Sequence, residues 1–146
     1  MIREGRASDL PAITHVRTSV RENCLSVEQM AALGIVPEKT IAEMQAGDLG
    51  CWVAEEHGEI VAFAMADRRD GNIFALFVLS EHESKGFGTM LLIHCEEWLK
   101  AQGITQAMLS TGRNTRAYGF YLSRGWQLTG EISGRFAEDD CFIKQL

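Results

Sequence analysis

Apolar and polar positions along the chain change period several times, and each change marks an element. Residues 2–5 read as a short first strand. Ser8-Asp9 then precede Leu10, Ile13, Val16 and Val20, the spacing of a capped amphipathic helix. A second helix start follows at Ser26-Val27-Glu28-Gln29, a capping-box pattern ahead of Met30 and Leu33. Pro37-Glu38 open a third helix carrying Ile41 and Met44, with Gly47 placed to stop it.

The middle of the chain shifts to strand patterning. Residues 50–56, 60–68 and 73–79 form a predicted meander, separated by turns at His57-Gly58-Glu59 and Asp70-Gly71. The third run is apolar at every position, which predicts a central strand covered on both faces. A glycine-bearing loop leads into a helix over 87–102, with Phe87, Leu91, Cys95 and Trp98 on one stripe and Gly103 as its stop. Residues 107–110 read as a strand, 115–123 as a helix closed by Gly125, and 126–132 and 140–145 as two last strands around Ser133-Gly134. This order predicts an α/β fold, a mixed sheet with helices on both faces. With 146 residues, no repeat and no linker, residues 1–146 form one domain.

Composition narrows the function. The chain is 46% hydrophobic and 23% charged, which excludes a disordered or collagen-like polymer. Fourteen Lys+Arg against 20 Asp+Glu give a net charge of −6. No basic run is long enough to neutralise several phosphates, so nucleic acid is not an expected partner. An acidic surface suits a cationic small molecule or peptide better. No stretch reaches the ~18 apolar residues of a membrane span, and the start has no apolar signal region. A cytoplasmic protein without a membrane partner is expected. Cys24, Cys51, Cys95 and Cys141 show no CxxC or Cys/His ligand spacing, so free buried thiols are expected and a metal is not.

The loop after the apolar strand, Leu79-Ser80-Glu81-His82-Glu83-Ser84-Lys85-Gly86-Phe87-Gly88-Thr89, invites an anion. Free N–H groups at a helix start, aided by its dipole, bind phosphates, and Gly86 and Gly88 allow close backbone approach. Lys85 adds positive charge. The other reading is that the glycines only shape a strand-to-helix turn. A P-loop needs Gly-Lys-Ser/Thr, whereas here the lysine precedes the glycine. A dinucleotide fingerprint needs glycine where Leu91 stands.

A third pattern fits and extends beyond the loop. Residues 76–88, LFVLSEHESKGFG, resemble the acetyl-CoA-binding motif of the GNAT family of N-acetyltransferases, whose loop reads Gln/Arg-x-x-Gly-x-Gly/Ala. Residues 114–126, NTRAYGFYLSRGW, resemble its second signature, Asn-x-x-Ala-x-x-Phe-Tyr-x-x-x-Gly-Phe/Trp. Glu83 replaces the Gln/Arg and Ser84 the glycine beside it. A carboxylate facing a pyrophosphate would weaken binding, so Glu83 is expected to turn to solvent, leaving the backbone N–H groups and Lys85 to hold the phosphates.

The resemblance implies a GNAT-like acyl-CoA N-acyltransferase fold of about seven strands whose central strands splay apart. It implies acetyl-CoA as the acetyl donor and direct attack by an amine in a ternary complex. Phe77, Val78 and Leu79 then lie along the pantetheine arm, and the N–H of Val78 polarises the thioester carbonyl. Lys85, Gly86, Phe87, Gly88 and Thr89 face the phosphates, with Ala117 also at the cofactor. Asn114 bonds the pantetheine amides or caps its helix. Tyr121 matches the tyrosine that protonates the departing thiolate; packing against the sheet is its other reading.

The acceptor side carries no motif. No carboxylate lies within 73–79 or 107–110, the strands expected to flank the acetyl group. Glu22 is a candidate base beside a water relay, or a solvated charge; Arg21, Asn23, Trp52, Asp67 and Phe74 are candidates to line the pocket. Cys95, on an apolar stripe, reads as core before nucleophile. The expected activity is transfer of an acetyl group to a primary amine of a small molecule or peptide. A non-catalytic acyl-CoA sensor or partner module of the same fold is the alternative, a dinucleotide-binding protein a more distant one, and a homodimer is left open.

Overall fold

The structure, a computed structural model, describes residues 1–20, 26–112, 115–133 and 139–146. Strand β1 (Ile2–Glu4) leads through a 3-10 turn at Ala7–Asp9 into α1 (Leu10–Ser19), followed by α2 (Val27–Ala32) and α3 (Pro37–Gln45). The meander is β2 (Leu49–Glu56), β3 (Glu59–Asp67) and β4 (Asn72–Val78). After it come α4 (Phe87–Ala101), β5 (Gln106–Thr111), α5 (Arg116–Ser123), β6 (Gln127–Ser133) and β7 (Asp139–Gln145). One seven-stranded sheet takes the order β1-β2-β3-β4-β5-β7-β6, antiparallel throughout except where β4 runs parallel to β5. The element order and mixed sheet match the sequence pattern; the predicted turn at Ser133-Gly134 reaches beyond the described residues.

Local chemistry sets the helix starts. At α2, Ser26 Oγ accepts from the Gln29 N–H at 3.1 Å and Gln29 Oε1 accepts from the Ser26 N–H at 2.8 Å, a reciprocal capping box. Asp9 departs from expectation and does not cap α1. Its carboxylate accepts from the Arg6 N–H at 2.7 Å and from both terminal nitrogens of Arg3, at 2.8 and 3.0 Å. A guanidinium offering two charge-assisted bonds outcompetes a single helix N–H.

Successive strand side chains point to opposite faces, so β2 sends Trp52 and Ala54 to one core and Cys51 and Val53 to the other. The first core lies under α4, where Leu91, Cys95 and Leu99 pack with Trp126 and Phe142. The second lies under α1, where Leu10, Ile13 and Val16 meet Val53 and Phe63. Cys51 and Cys95 are buried, and burial raises the pKa of each thiol; Cys141 is only half-buried. Among the described residues no helix is long and apolar enough to cross a membrane.

Strand β4 is central, as its apolar run predicts, yet it is not covered on both faces. Phe74 is 43% exposed. The register steps from Met65↔Ala75 to Ala66↔Ile73, which leaves Phe74 as the extra residue of a bulge. On its other side β4 meets β5 at Asn72↔Met108 and the two strands part beyond that pair. Gly71 makes the junction possible. Its carbonyl accepts from the Met108 N–H at 2.9 Å, its φ is +79°, and a Cβ there would stand 2.7 Å from the Gln106 carbonyl oxygen. Only glycine meets both conditions.

Candidate active site

The site occupies the opening between β4 and β5. Strand pairing dictates what faces it. The Leu79 N–H donates to the Val61 carbonyl at 2.9 Å, so Ala62↔Val78 is a pair without mutual hydrogen bonds, and alternation makes Ala64↔Leu76 another. The N–H groups of Leu76 and Val78 therefore point away from β3, into the gap. Leu79, expected on the cofactor arm, instead spends its N–H on β3.

At one end of the gap α4 begins. Gly86 holds φ at +87° just before the helix. Met90 donates the first helical bond, to the Gly86 carbonyl at 3.1 Å, so Phe87, Gly88 and Thr89 have no helical acceptor for their N–H groups, and Gly86 has no side chain to cap them. Facing them is the start of α5, where Thr115 Oγ1 accepts from the Tyr118 N–H at 3.3 Å and caps the helix. A cavity of about 400 Å³ lies between, lined by Val78, Gly86, Gly88, Thr89, Arg116 and Tyr121 among others.

Two charges of the loop differ from expectation. Lys85 turns to β2, where its Nζ lies 3.0 and 3.1 Å from the Glu56 carboxylate oxygens. His82 Nδ1 lies 2.8 Å from the same group, and Lys85 first, then His82, holds the Glu56 carboxyl below its ordinary pKa. Lys85 thus serves a carboxylate 29 residues away and does not line the small cavity. Glu83 does not turn to solvent: it forms an ion pair with Arg116. Ser84, at the motif's glycine position, takes φ +65°.

On the α1 side a larger cavity of about 820 Å³ opens over the sheet. The two cavities share Leu76, Phe77, Ala117 and Tyr121. The Phe77 ring packs on Phe63 and lies 4.1 Å beneath the Arg17 guanidinium. Tyr121 is 6% exposed and sits among Phe120, Trp126 and Phe142; burial raises its pKa above the ordinary phenol value. Tyr121 thus combines the packing role with a place at the junction.

The acceptor-side candidates divide. Phe74 and Asp67 line the large cavity. Asp67 is held by Arg69, with Nε at 2.9 Å and Nη2 at 2.8 Å, which lowers its carboxyl pKa. Trp52 does not belong there. Strand alternation sends it to the α4 face, 6% exposed and 5.6 Å from Trp98. Arg21, Glu22, Asn23 and Asn114 lie outside the described residues. The expectation of no carboxylate on the flanking strands is met by β4 and β5, but Asp139 lines the large cavity from the start of β7. Nothing local in the sequence marks it, because β7 comes beside β5 only on folding.

A splayed mixed sheet, a glycine-entered helix at the splay and a buried tyrosine between two joined cavities define an acyl-CoA N-acyltransferase fold. The chain belongs to the acetyltransferase (GNAT) family, whose sequence model matches residues 18–126. It is 35% identical over 91 residues to N-acetyltransferase 8 of Rattus norvegicus and 32% identical to that of Mus musculus, in each case over 56% of this chain. The match takes in only 41% and 40% of those relatives' lengths. In fold it is similar to PaiA N-acetyltransferase from Thermoplasma acidophilum in complex with coenzyme A, with a TM-score of 0.81 at 19% identity over 100% of this chain and 98% of that one. It is also similar to a ribosomal-protein-alanine N-acetyltransferase from Brucella melitensis, with a TM-score of 0.77 at 20% identity over 100% and 99%.

Proposed function

We propose that the chain is an acetyl-CoA-dependent N-acetyltransferase that acetylates a primary amine of a small molecule or peptide by direct attack. The observation that carries this reading is the meeting of the two cavities at Tyr121: a narrow one lined by unbonded backbone N–H groups, a wide one lined by side chains. Bound acetyl-CoA supplies an acetyl group activated as a thioester.

The residues present fit that group. Phe87, Gly88 and Thr89 offer N–H groups and the positive end of a helix dipole to phosphates. Leu76 and Val78 offer backbone groups to amides lying in the gap, and the Val78 N–H, so directed, can stabilise negative charge growing on the acetyl oxygen. Tyr121 keeps its proton, because burial disfavours the phenolate, and donates it to the departing sulfur. Phe77 and Ala117 bound the space where amine and acetyl carbon meet, and the wide cavity admits the amine.

The test has two parts. Acetyl-CoA should raise the melting temperature by mass action. A panel of amines should then be assayed for free-thiol release. No thermal shift at saturating acetyl-CoA removes the reading. Binding without thiol release from any amine points to a sensor of the same fold.

A further inference from the structure

We propose that Asp139 is the group that takes the proton from the attacking amine. This rests on the acetyl-transfer reading above and adds to it the base that completes the reaction. Asp139 lines the large cavity together with Tyr121, Ser110 and Ala117. Its position follows from register. Asp140 pairs with Thr111 at the end of β5, so Asp139 lies one residue beyond, where the sheet opens. Asp140 and Phe142 face the buried side, and alternation turns Asp139 to the opposite face, over which the cavity lies.

The other carboxylates of the cavity are engaged. Glu43 and Asp67 are held by Arg69, and Asp70 accepts from the Asn72 N–H at 2.9 Å. Among the described residues no hydrogen bond or ion pair reaches the Asp139 carboxylate. The cations on the same lining are Arg17, set over Phe77, Lys39 and Arg69. On its own strand Asp140 adjoins Asp139 and the Cys141 thiol lies near it; β6 contributes Glu131 beside Cys141, and β5 carries no titratable side chain. Burial first, and the Asp140 charge second, raise the Asp139 pKa, which makes its carboxylate a stronger base.

The chemistry balances. A carboxylate cannot strip a free alkylammonium, whose pKa is near ~10.4 as for lysine, so the amine enters neutral. As the C–N bond forms, the nitrogen becomes far more acidic and its proton passes to Asp139. The C–S bond breaks, the sulfur takes the Tyr121 proton, and solvent resets both residues. The net change is amine plus thioester to amide plus thiol.

The test compares the unmodified protein with Asp139→Asn and Asp139→Glu, using an amine found in the panel. Asp139→Asn should lower kcat about 10²-fold, abolish the acidic limb of the kcat–pH profile and leave acetyl-CoA affinity unchanged. Without ligand, its melting temperature at neutral pH should equal or exceed that of the unmodified protein, because the amide removes a charge that burial disfavours. Asp139→Glu should keep an acidic limb at a displaced pH. Asp139→Asn turning over within about threefold of the unmodified protein, with the limb intact, overturns the proposal. If that variant does not fold, an undisplaced limb in Asp139→Glu overturns it. An unmodified protein that acetylates no amine overturns the acetyl-transfer reading itself, and this role with it.

Discussion

Arg116, the first residue of α5, is ion-paired with Glu83 of the loop before α4, so the two walls of the small cavity are joined across its mouth. Arg116 also lies 3.5 Å from the Ser84 hydroxyl. The pair accounts for a carboxylate where the family motif has Gln or Arg: a positive partner from the second signature neutralises it.

Glu83→Gln should therefore tighten acetyl-CoA binding. It removes an anion that lines the small cavity with Gly86, Gly88 and Thr89. A few-fold lower Kd by calorimetry, with a steeper salt dependence, is expected. Weaker binding would mean that the ion pair is needed to shape the loop.

Tyr121→Phe keeps the ring and its contacts with Phe120, Trp126 and Phe142 while deleting the donor. Acetyl-CoA affinity should survive and kcat should fall about 10²-fold. The pKa of Tyr121 is raised, so the phenol stays protonated below its ordinary value near ~10. Any alkaline limb below that pH belongs to another group and should persist in the variant. Unchanged turnover, with chemistry shown to be rate-limiting, rejects the assignment.

Gly86→Val should abolish acetyl-CoA binding, chiefly through backbone conformation. No atom lies within 4 Å of a Cβ built at Gly86, but φ of +87° strains any β-branched residue. The cost is about 1–2 kcal/mol in the folded chain, and relief of the strain turns the first N–H groups of α4. Gly88→Ala is a contrast, since its Cβ would rest 3.7 Å from Phe120 at ordinary contact distance. Circular dichroism and calorimetry should show both variants folded, with binding lost in the first. Wild-type affinity in a folded Gly86→Val would show that the phosphates bind elsewhere.

Asp9→Asn should destabilise the fold by roughly 1.5–3 kcal/mol, the range for a hydrogen bond to a charged group. The Arg3 guanidinium, and after it the Arg6 N–H, hold the Asp9 carboxyl below its ordinary value. A depressed pKa contributes stability that is present above the ordinary carboxylate value and lost as pH falls through it toward the folded one. The difference in melting temperature between the two proteins should be full at neutral pH and narrow below pH ~4. A gap that does not depend on pH would remove the ion pair as its cause.

Much of this architecture is written locally. Hydrophobic period, the Ser26–Gln29 box and two contiguous signatures determine the element order, the glycine entry to α4 and Tyr121 on α5, because each depends on residues within a turn or two of one another. Other features depend on partners brought together from afar. The apolar run of β4 cannot reveal that a bulge leaves Phe74 exposed, since the bulge is a mismatch with β3. Strand β2 has Cys51, Trp52, Val53 and Ala54 all buried, so hydrophobicity cannot say which face Trp52 takes. Lys85 looks like a phosphate ligand until Glu56 is folded against it, and Glu83 looks solvated until Arg116 arrives. Asp139 gains its place only when β7 docks antiparallel to β5 and strand alternation turns it to the cavity. Sequence periodicity determined the elements; register, alternation and charge pairing between distant segments decided which side chains meet at the splay.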